Sequence, residues 1–192
     1  MNDGSAAMVR PVTLLLTGAM LEFLMTASLF AAVLTTGLMA GLFYAYSISV
    51  MPGLARTDDR TYVGAMQKIN VAILNGWFAV GFGGAFAFTG FAGVLHLAAG
   101  ERVALPWIAA GLVLYTAVLA ITFRVNVPLN NALVAVGAPG SAGDLADERA
   151  DDLASLRHRF ETTWVRWNAV RTLGSTAAFA SLVVGLLVRG AG

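Results

Sequence analysis

The chain has 192 residues, 58% of them hydrophobic and 12% charged, which is more apolar surface than a soluble domain of this length can hide. A net charge of +1 removes any general attraction to nucleic acid. The absence of cysteine excludes disulfides and thiolate metal sites, and the length suits a single domain, 1–192.

The first apolar run extends from Leu14 to Val50 with Glu22 as its only ionised residue. At ~1.5 Å per residue the whole run overshoots a hydrocarbon core of ~30 Å. The first membrane span is therefore expected at about 24–50, with Glu22 near an interface where Arg10, Arg102 or Arg189 can pair with it. Arg10 followed by "VTLLLTGAM" (12–20) has the outline of a signal peptide, but Glu22 interrupts the apolar run and no small-residue cleavage site closes it. "RTDDR" (56–60) supplies an N-cap for a helix that rises through "TYVGAMQKIN" (61–70) into a second span at 71–97. The glycines of "VGFGGAFAFTGFAG" (80–93) predict that this span packs centrally. A third span is expected at 106–125, with an end or kink at Pro128. "PGSAGD" (139–144) reads as a turn closed by a capping aspartate; the polar helix 144–171 then feeds into a fourth span at 172–188. The expected fold class is all-α, an integral membrane four-helix bundle with cytoplasmic helical extensions.

Nine of the twelve lysines and arginines lie in 51–70 and 124–171. Positive residues stay inside. Both termini are therefore expected outside, with the two large loops in the cytoplasm and a bacterial inner membrane as the setting.

The same side collects the polar residues. "RVNVPLNNAL" (124–133) ends the third span, the first finishes in "FYAYSISVMPGL" (43–54), the second is entered through Gln67, Asn70 and Asn75, and the fourth through "WVRWNAVRTLGS" (164–175). Asn126 and Asn130 are four apart, as are Met66 and Asn70; Trp164, Asn168, Arg171 and Ser175 follow a four, three, four rhythm that puts them on one helical stripe. Amides and a guanidinium suit lipid badly, so the stripe is expected to face the bundle. One reading makes these groups interfacial caps and interhelical glue, with the aromatic residues as a belt and the arginines snorkelling. The other makes them converge on a pocket open to the inner leaflet. His158 and Glu161 have the H-x-x-E spacing of di-iron bundles, but the remaining ligands are missing, so no metal is expected. Phosphate loop, serine triad and dinucleotide fingerprint are absent from the sequence.

"SVMPGL" (49–54), "AMQKIN" (65–70), "NVPLNN" (126–131) and "WVRWNAVRT" (164–172), in this order among four spans, resemble the anthrone oxygenase-like family of small membrane proteins. The likeness runs from the first span to the fourth. Characterised members oxidise anthrones to anthraquinones in polyketide pathways, and many relatives have no assigned substrate. The resemblance implies a flat, greasy aromatic substrate that enters from the bilayer and is oxidised through its enolate by O2, without a cofactor. On that reading Arg171 and Arg124 hold the enolate oxygen, while Asn126, Asn130 and Asn168 donate further hydrogen bonds. Trp164, Trp167 and Tyr44 stack on the rings, and Asn70 joins the binding set. His158 is the one cytoplasmic residue with an unperturbed pKa near neutrality and so stands as the base. The alternative is a non-catalytic scaffold, or a lipid- or quinone-binding subunit, that meets another membrane protein or a second copy of itself. A transporter is disfavoured, since four spans without an inverted repeat leave little to alternate.

Overall fold

The computed structural model describes residues 3–135 and 146–191, with side chains described for 17–135 and 152–191. The 139–144 turn lies outside these residues, and Arg10 lies outside those with described side chains. Among the described residues the chain is helical throughout, with short turns between the helices: α1 Asp3–Ala45, α2 Met51–Leu54, α3 Asp59–Ala72, α4 Gly76–Ala99, α5 Leu105–Ile121, α6 Val127–Ala135 and α7 Ala146–Gly190. Four stretches are long and apolar enough to cross a membrane: Thr17–Leu54, Gly76–Ala99, Leu105–Ala135 and Asp152–Gly190. Their exposed faces carry large apolar side chains such as Phe23, Leu34, Trp77, Val113 and Leu173, the pattern lipid requires. The protein is a four-helix membrane bundle.

Sequential helices are neighbours. α1 packs on α4, α4 on α5, α5 on α7 and α7 back on α1, giving an up-and-down ring. The glycine-rich α4 is thus one side of the ring and not its centre. Gly81 lets it approach Met39 of α1, whereas Gly83 and Gly90 meet nothing within 4 Å; two of the five glycines expected to mediate packing face outward.

Two junctions share one feature. The first rod, expected to reach about Val50, and the third, expected to end or kink at Pro128, both run on past these points. Each continues through one π turn, Tyr46–Val50 and Thr122–Asn126, into α2 and α6. The Met51 N–H donates to the Tyr46 carbonyl and the Val127 N–H to the Thr122 carbonyl, five residues back. In each case the next residue is a proline, Pro52 or Pro128. A proline lacks the N–H and crowds the carbonyl four residues earlier. One extra residue in the turn relieves both problems without ending the rod.

At the other junction Asn75 closes one helix and opens the next. Its Nδ2 donates to the Ala72 carbonyl at 2.8 Å and its Oδ1 accepts the Phe78 N–H at 3.0 Å. The second span therefore starts at Gly76, later than 71. Asp58 caps α3 as expected: its carboxylate accepts the Thr61 N–H at 3.0 Å and the Thr61 hydroxyl at 2.6 Å. These hydrogen bonds hold the Asp58 carboxyl below its usual range.

The core has three apolar layers along the bundle axis. Leu29, Ala92, Ile108 and Leu182 fill one end, Met39, Phe43, Phe82, Tyr115 and Ala178 the middle. Beneath α3 lies a third layer of Met51, Tyr62, Met66, Leu133, Phe160 and Trp164. The far end is tied by charge. Arg189 pairs with Glu22 at 2.5 Å, and Glu101 sits 3.2 Å from Nε2 of the buried His96 and 3.6 Å from Nε of Arg189. Of the expected arginine partners of Glu22 with described side chains, Arg102 and Arg189, it is Arg189 that pairs with it.

Candidate functional site

Between the middle layer and the α3 layer the interior turns polar. Asn168, Arg171, Thr172 and Ser175 of α7, together with Thr122 and Asn126 of the second π turn, are all buried. The four, three, four stripe of α7 thus faces inward over its whole length, Trp164 included. The polar layer lies level with both π turns, and the two features are connected. The carbonyl of Phe43, just ahead of the first π turn, accepts from Asn168 Nδ2 at 3.0 Å and from Ser47 Oγ at 3.1 Å. Asn168 Nδ2 also reaches Ser47 Oγ at 2.9 Å. Across the layer, Arg171 Nη1 reaches the Thr122 hydroxyl at 3.4 Å, and Nη2 donates to Asn168 Oδ1 at 2.8 Å.

Arg171 is only 5% exposed. Its guanidinium carbon lies 4.4 Å from the centre of the Phe43 ring and 5.4 Å from that of Trp164. Rings spread over a cation give back part of its lost hydration. No carboxylate pairs with it among the described residues, and its Nε has no hydrogen-bond partner. The neighbouring Asn126 is 1% exposed, and both its amide nitrogen and its amide oxygen lack partners, as does Nδ2 of Asn70. Buried polar atoms are almost always satisfied, so this group of donors and acceptors without protein partners makes the polar layer the candidate site.

The space is there. A cavity of about 1110 Å³ runs along these groups, ample for a flat polycyclic molecule. Its inner wall holds Arg171, Asn168, Trp164, Asn126, Asn130 and Tyr46. Trp164 donates from Nε1 to Asn130 Oδ1 at 2.9 Å, which fixes the indole and leaves the Asn130 amide nitrogen turned to other partners. The outer wall is aromatic: Phe78 stacks on Phe82 at 5.1 Å, and Phe123 meets Phe82 edge-on at 6.0 Å. Val71, Leu74, Phe123 and Val134, all on the lining, are exposed and give the mouth an apolar rim.

Six of the ten residues singled out from sequence line this cavity: Asn70, Asn126, Asn130, Trp164, Asn168 and Arg171. Arg124 is exposed, Trp167 is half-buried and His158 is exposed, and none of the three is on the wall. Tyr44 is 54% exposed in a separate apolar groove with Phe30, Leu34, Leu38 and Phe179. The sequence reading missed Phe43, Tyr46, Phe78, Phe82 and Phe123. Phe43, Tyr46 and Ser47 follow i, i+3, i+4 spacing, and Phe78 and Phe82 are four apart, so the shared faces were readable.

A family model described as anthrone oxygenase matches residues 75–181, more than half of the chain. The chain belongs to the anthrone oxygenase family. The matched stretch opens at the Asn75 cap, and it carries Asn126, Asn130, Trp164, Asn168 and Arg171. Nothing among the curated proteins or the solved structures matches the chain. At the level of the family, this anthrone oxygenase relative has a membrane oxygenase-like role.

Proposed function

We propose that the protein binds a flat, anthrone-like aromatic in this cavity and oxidises it with O2 to a quinone. The observation that carries the reading is Arg171: a buried guanidinium without a carboxylate partner among the described residues, with Nε unoccupied, on the wall of a largely apolar cavity. A buried charge left unpaired costs several kcal/mol. An enolate oxygen is a partner of the right charge that also brings the aromatic surface the phenylalanines accept.

The chemistry follows from where negative charge appears. The carbon opposite an anthrone ketone loses a proton, and the charge moves to the ketone oxygen. Arg171 holds that oxygen, and Asn126 and Asn130 supply amide donors to the same edge; such donors stabilise developing charge most where water is excluded. The enolate then gives electrons to O2 and forms a C–O bond, and the resulting hydroperoxide loses water. One CH2 and one O2 become one C=O and one H2O. Asn168 is fully engaged with Phe43, Ser47 and Arg171, so it positions the guanidinium and does not touch substrate. Phe78, Phe82 and Phe123 cover the rings, and the apolar mouth admits a molecule already dissolved in lipid.

The test is conversion of emodin anthrone by the purified protein in nanodiscs, with Arg171→Ala beside wild type. Turnover by wild type and its loss by a factor of about 10²–10³ in a variant that still folds is expected; equal turnover removes the site. The apolar rim favours a second reading, a non-catalytic lipid- or quinone-binding subunit. Mass spectrometry of what gentle detergent extraction retains separates them: an acyl lipid together with absent turnover supports the second.

A further inference from the structure

Taking a proton from carbon requires an acceptor, and the cavity wall holds two titratable side chains among the described residues, Arg171 and Tyr46. A guanidinium stays protonated throughout the working range of proteins. The other candidates are placed elsewhere. His158 is exposed and off the wall, Tyr44 faces the separate outer groove, Tyr62 is enclosed in the α3 layer, and Tyr115 spends its hydroxyl on the Phe82 carbonyl at 3.1 Å.

Tyr46 opens the first π turn, a type of irregularity found often at functional sites. Its ring lies 5.6 Å from that of Trp164 at 47°, the same indole that the Arg171 guanidinium overhangs. No described residue hydrogen-bonds its hydroxyl.

We propose that Tyr46 is the proton-carrying catalytic residue of the cavity; this rests on the reading of the site as an anthrone oxygenase centre. As phenolate it takes one proton from the carbon opposite the substrate ketone. The negative charge passes from the phenol to the substrate oxygen beside Arg171, so a single anion faces a single cation before and after, and no new charge is made in a low-dielectric site. Once the carbon has bound O2, the phenol returns that proton to the terminal peroxide oxygen. The second C–H bond then breaks: its proton goes to the phenolate, its electron pair forms the new C=O bond, and the O–O bond breaks. The departing hydroxide takes the proton from Tyr46 and leaves as water. Both protons end in water and Tyr46 is restored.

The experiment compares wild type with Tyr46→Phe, which keeps the ring against Trp164. Binding of emodin, the quinone product, is expected to be unchanged. The kcat for emodin anthrone is expected to fall by about 10²–10⁴-fold, and the residual rate should climb steadily with pH as hydroxide takes over the deprotonation. If wild type turns over and Tyr46→Phe stays within threefold with an unaltered pH profile, Tyr46 is not the proton carrier, while the enzyme reading stands. No turnover by wild type overturns both. Should Tyr46→Phe fail to bind emodin, 3,5-difluorotyrosine at position 46 decides instead. A more acidic phenol must move the acid limb of kcat/KM to lower pH, and an unmoved limb overturns the assignment.

Discussion

Arg171 and Asn168 sit one turn apart on α7, and the amide oxygen of Asn168 accepts from Nη2 of Arg171 at 2.8 Å while its nitrogen is anchored across the bundle on the Phe43 carbonyl. The guanidinium is therefore aimed by a neutral strut, which leaves its charge available. Asn168→Asp keeps the shape and supplies an internal anion. The charge of Arg171 is then consumed within the protein. We expect kcat/KM for emodin anthrone to fall by about tenfold to a hundredfold. Steady-state kinetics in nanodiscs test this; a variant as fast as wild type would show that the free charge of Arg171 does not matter.

Asn126 sets stability against binding. Both polar atoms of its side chain are buried without partners, and an unsatisfied buried amide costs about 1–3 kcal/mol. Asn126→Leu has nearly the same volume and removes that cost. The variant is expected to unfold at a higher temperature than wild type without ligand, and to lose most of the additional stabilisation that emodin gives. Thermal unfolding with and without emodin measures both. A lower melting temperature in the empty variant would mean that the amide has a structural partner after all.

Much of this arrangement was legible in the sequence, for reasons that also explain what was not. Four apolar runs fix four spans because lipid demands length and hydropathy. The 164, 168, 171, 175 stripe reveals its direction because a guanidinium and an amide cannot face acyl chains. For apolar and aromatic residues that logic fails, since lipid and core are equally greasy. Tyr44 and Tyr46 are two residues apart and so occupy different faces of one helix, but nothing in their composition says which face is inside; Tyr46 is on the cavity wall and Tyr44 on the lipid side. Arg124 and Asn126 divide in the same way. The π turns were written in the sequence as Met51-Pro52 and Val127-Pro128. A proline inside an apolar run reads equally as a helix end, and only tertiary packing shows that the rod continues.

Arg157 holds the α3 layer against α7. Its guanidinium donates to the Thr57 and Ala55 carbonyls at 2.8 and 2.9 Å, and to Asp59 and Glu161 at 2.8 and 3.0 Å. It also lies 4.6 Å over the Tyr62 ring. Arg157→Ala leaves two carboxylates and two carbonyls without their shared donor and should cost about 2–4 kcal/mol. Arg157→Lys should recover only part of this, because one ammonium cannot span the fork. The first sign is expected at the 55–58 link, as faster cleavage in limited proteolysis. Cleavage at the wild-type rate in both variants would show that the link is held by something else.

Two glycines of similar appearance in the sequence should respond to alanine with opposite signs. At Gly111 a methyl group would come within 2.9 Å of the Leu182 side chain and 3.4 Å of the Ala178 carbonyl. Leu182 is fully buried in the end layer, so it has nowhere to swing, and α5 must move off α7 at a cost of about 1–3 kcal/mol. At Gly90 an added methyl meets nothing within 4 Å. There alanine only narrows the freedom of the unfolded chain and should stabilise the helix by about 0.5–1 kcal/mol. Thermal unfolding of Gly111→Ala and Gly90→Ala in the same detergent is the comparison. Shifts of the same sign would mean that α5 and α7 do not meet at this distance, and the ring order that places Arg171 beside Thr122 would lose its support.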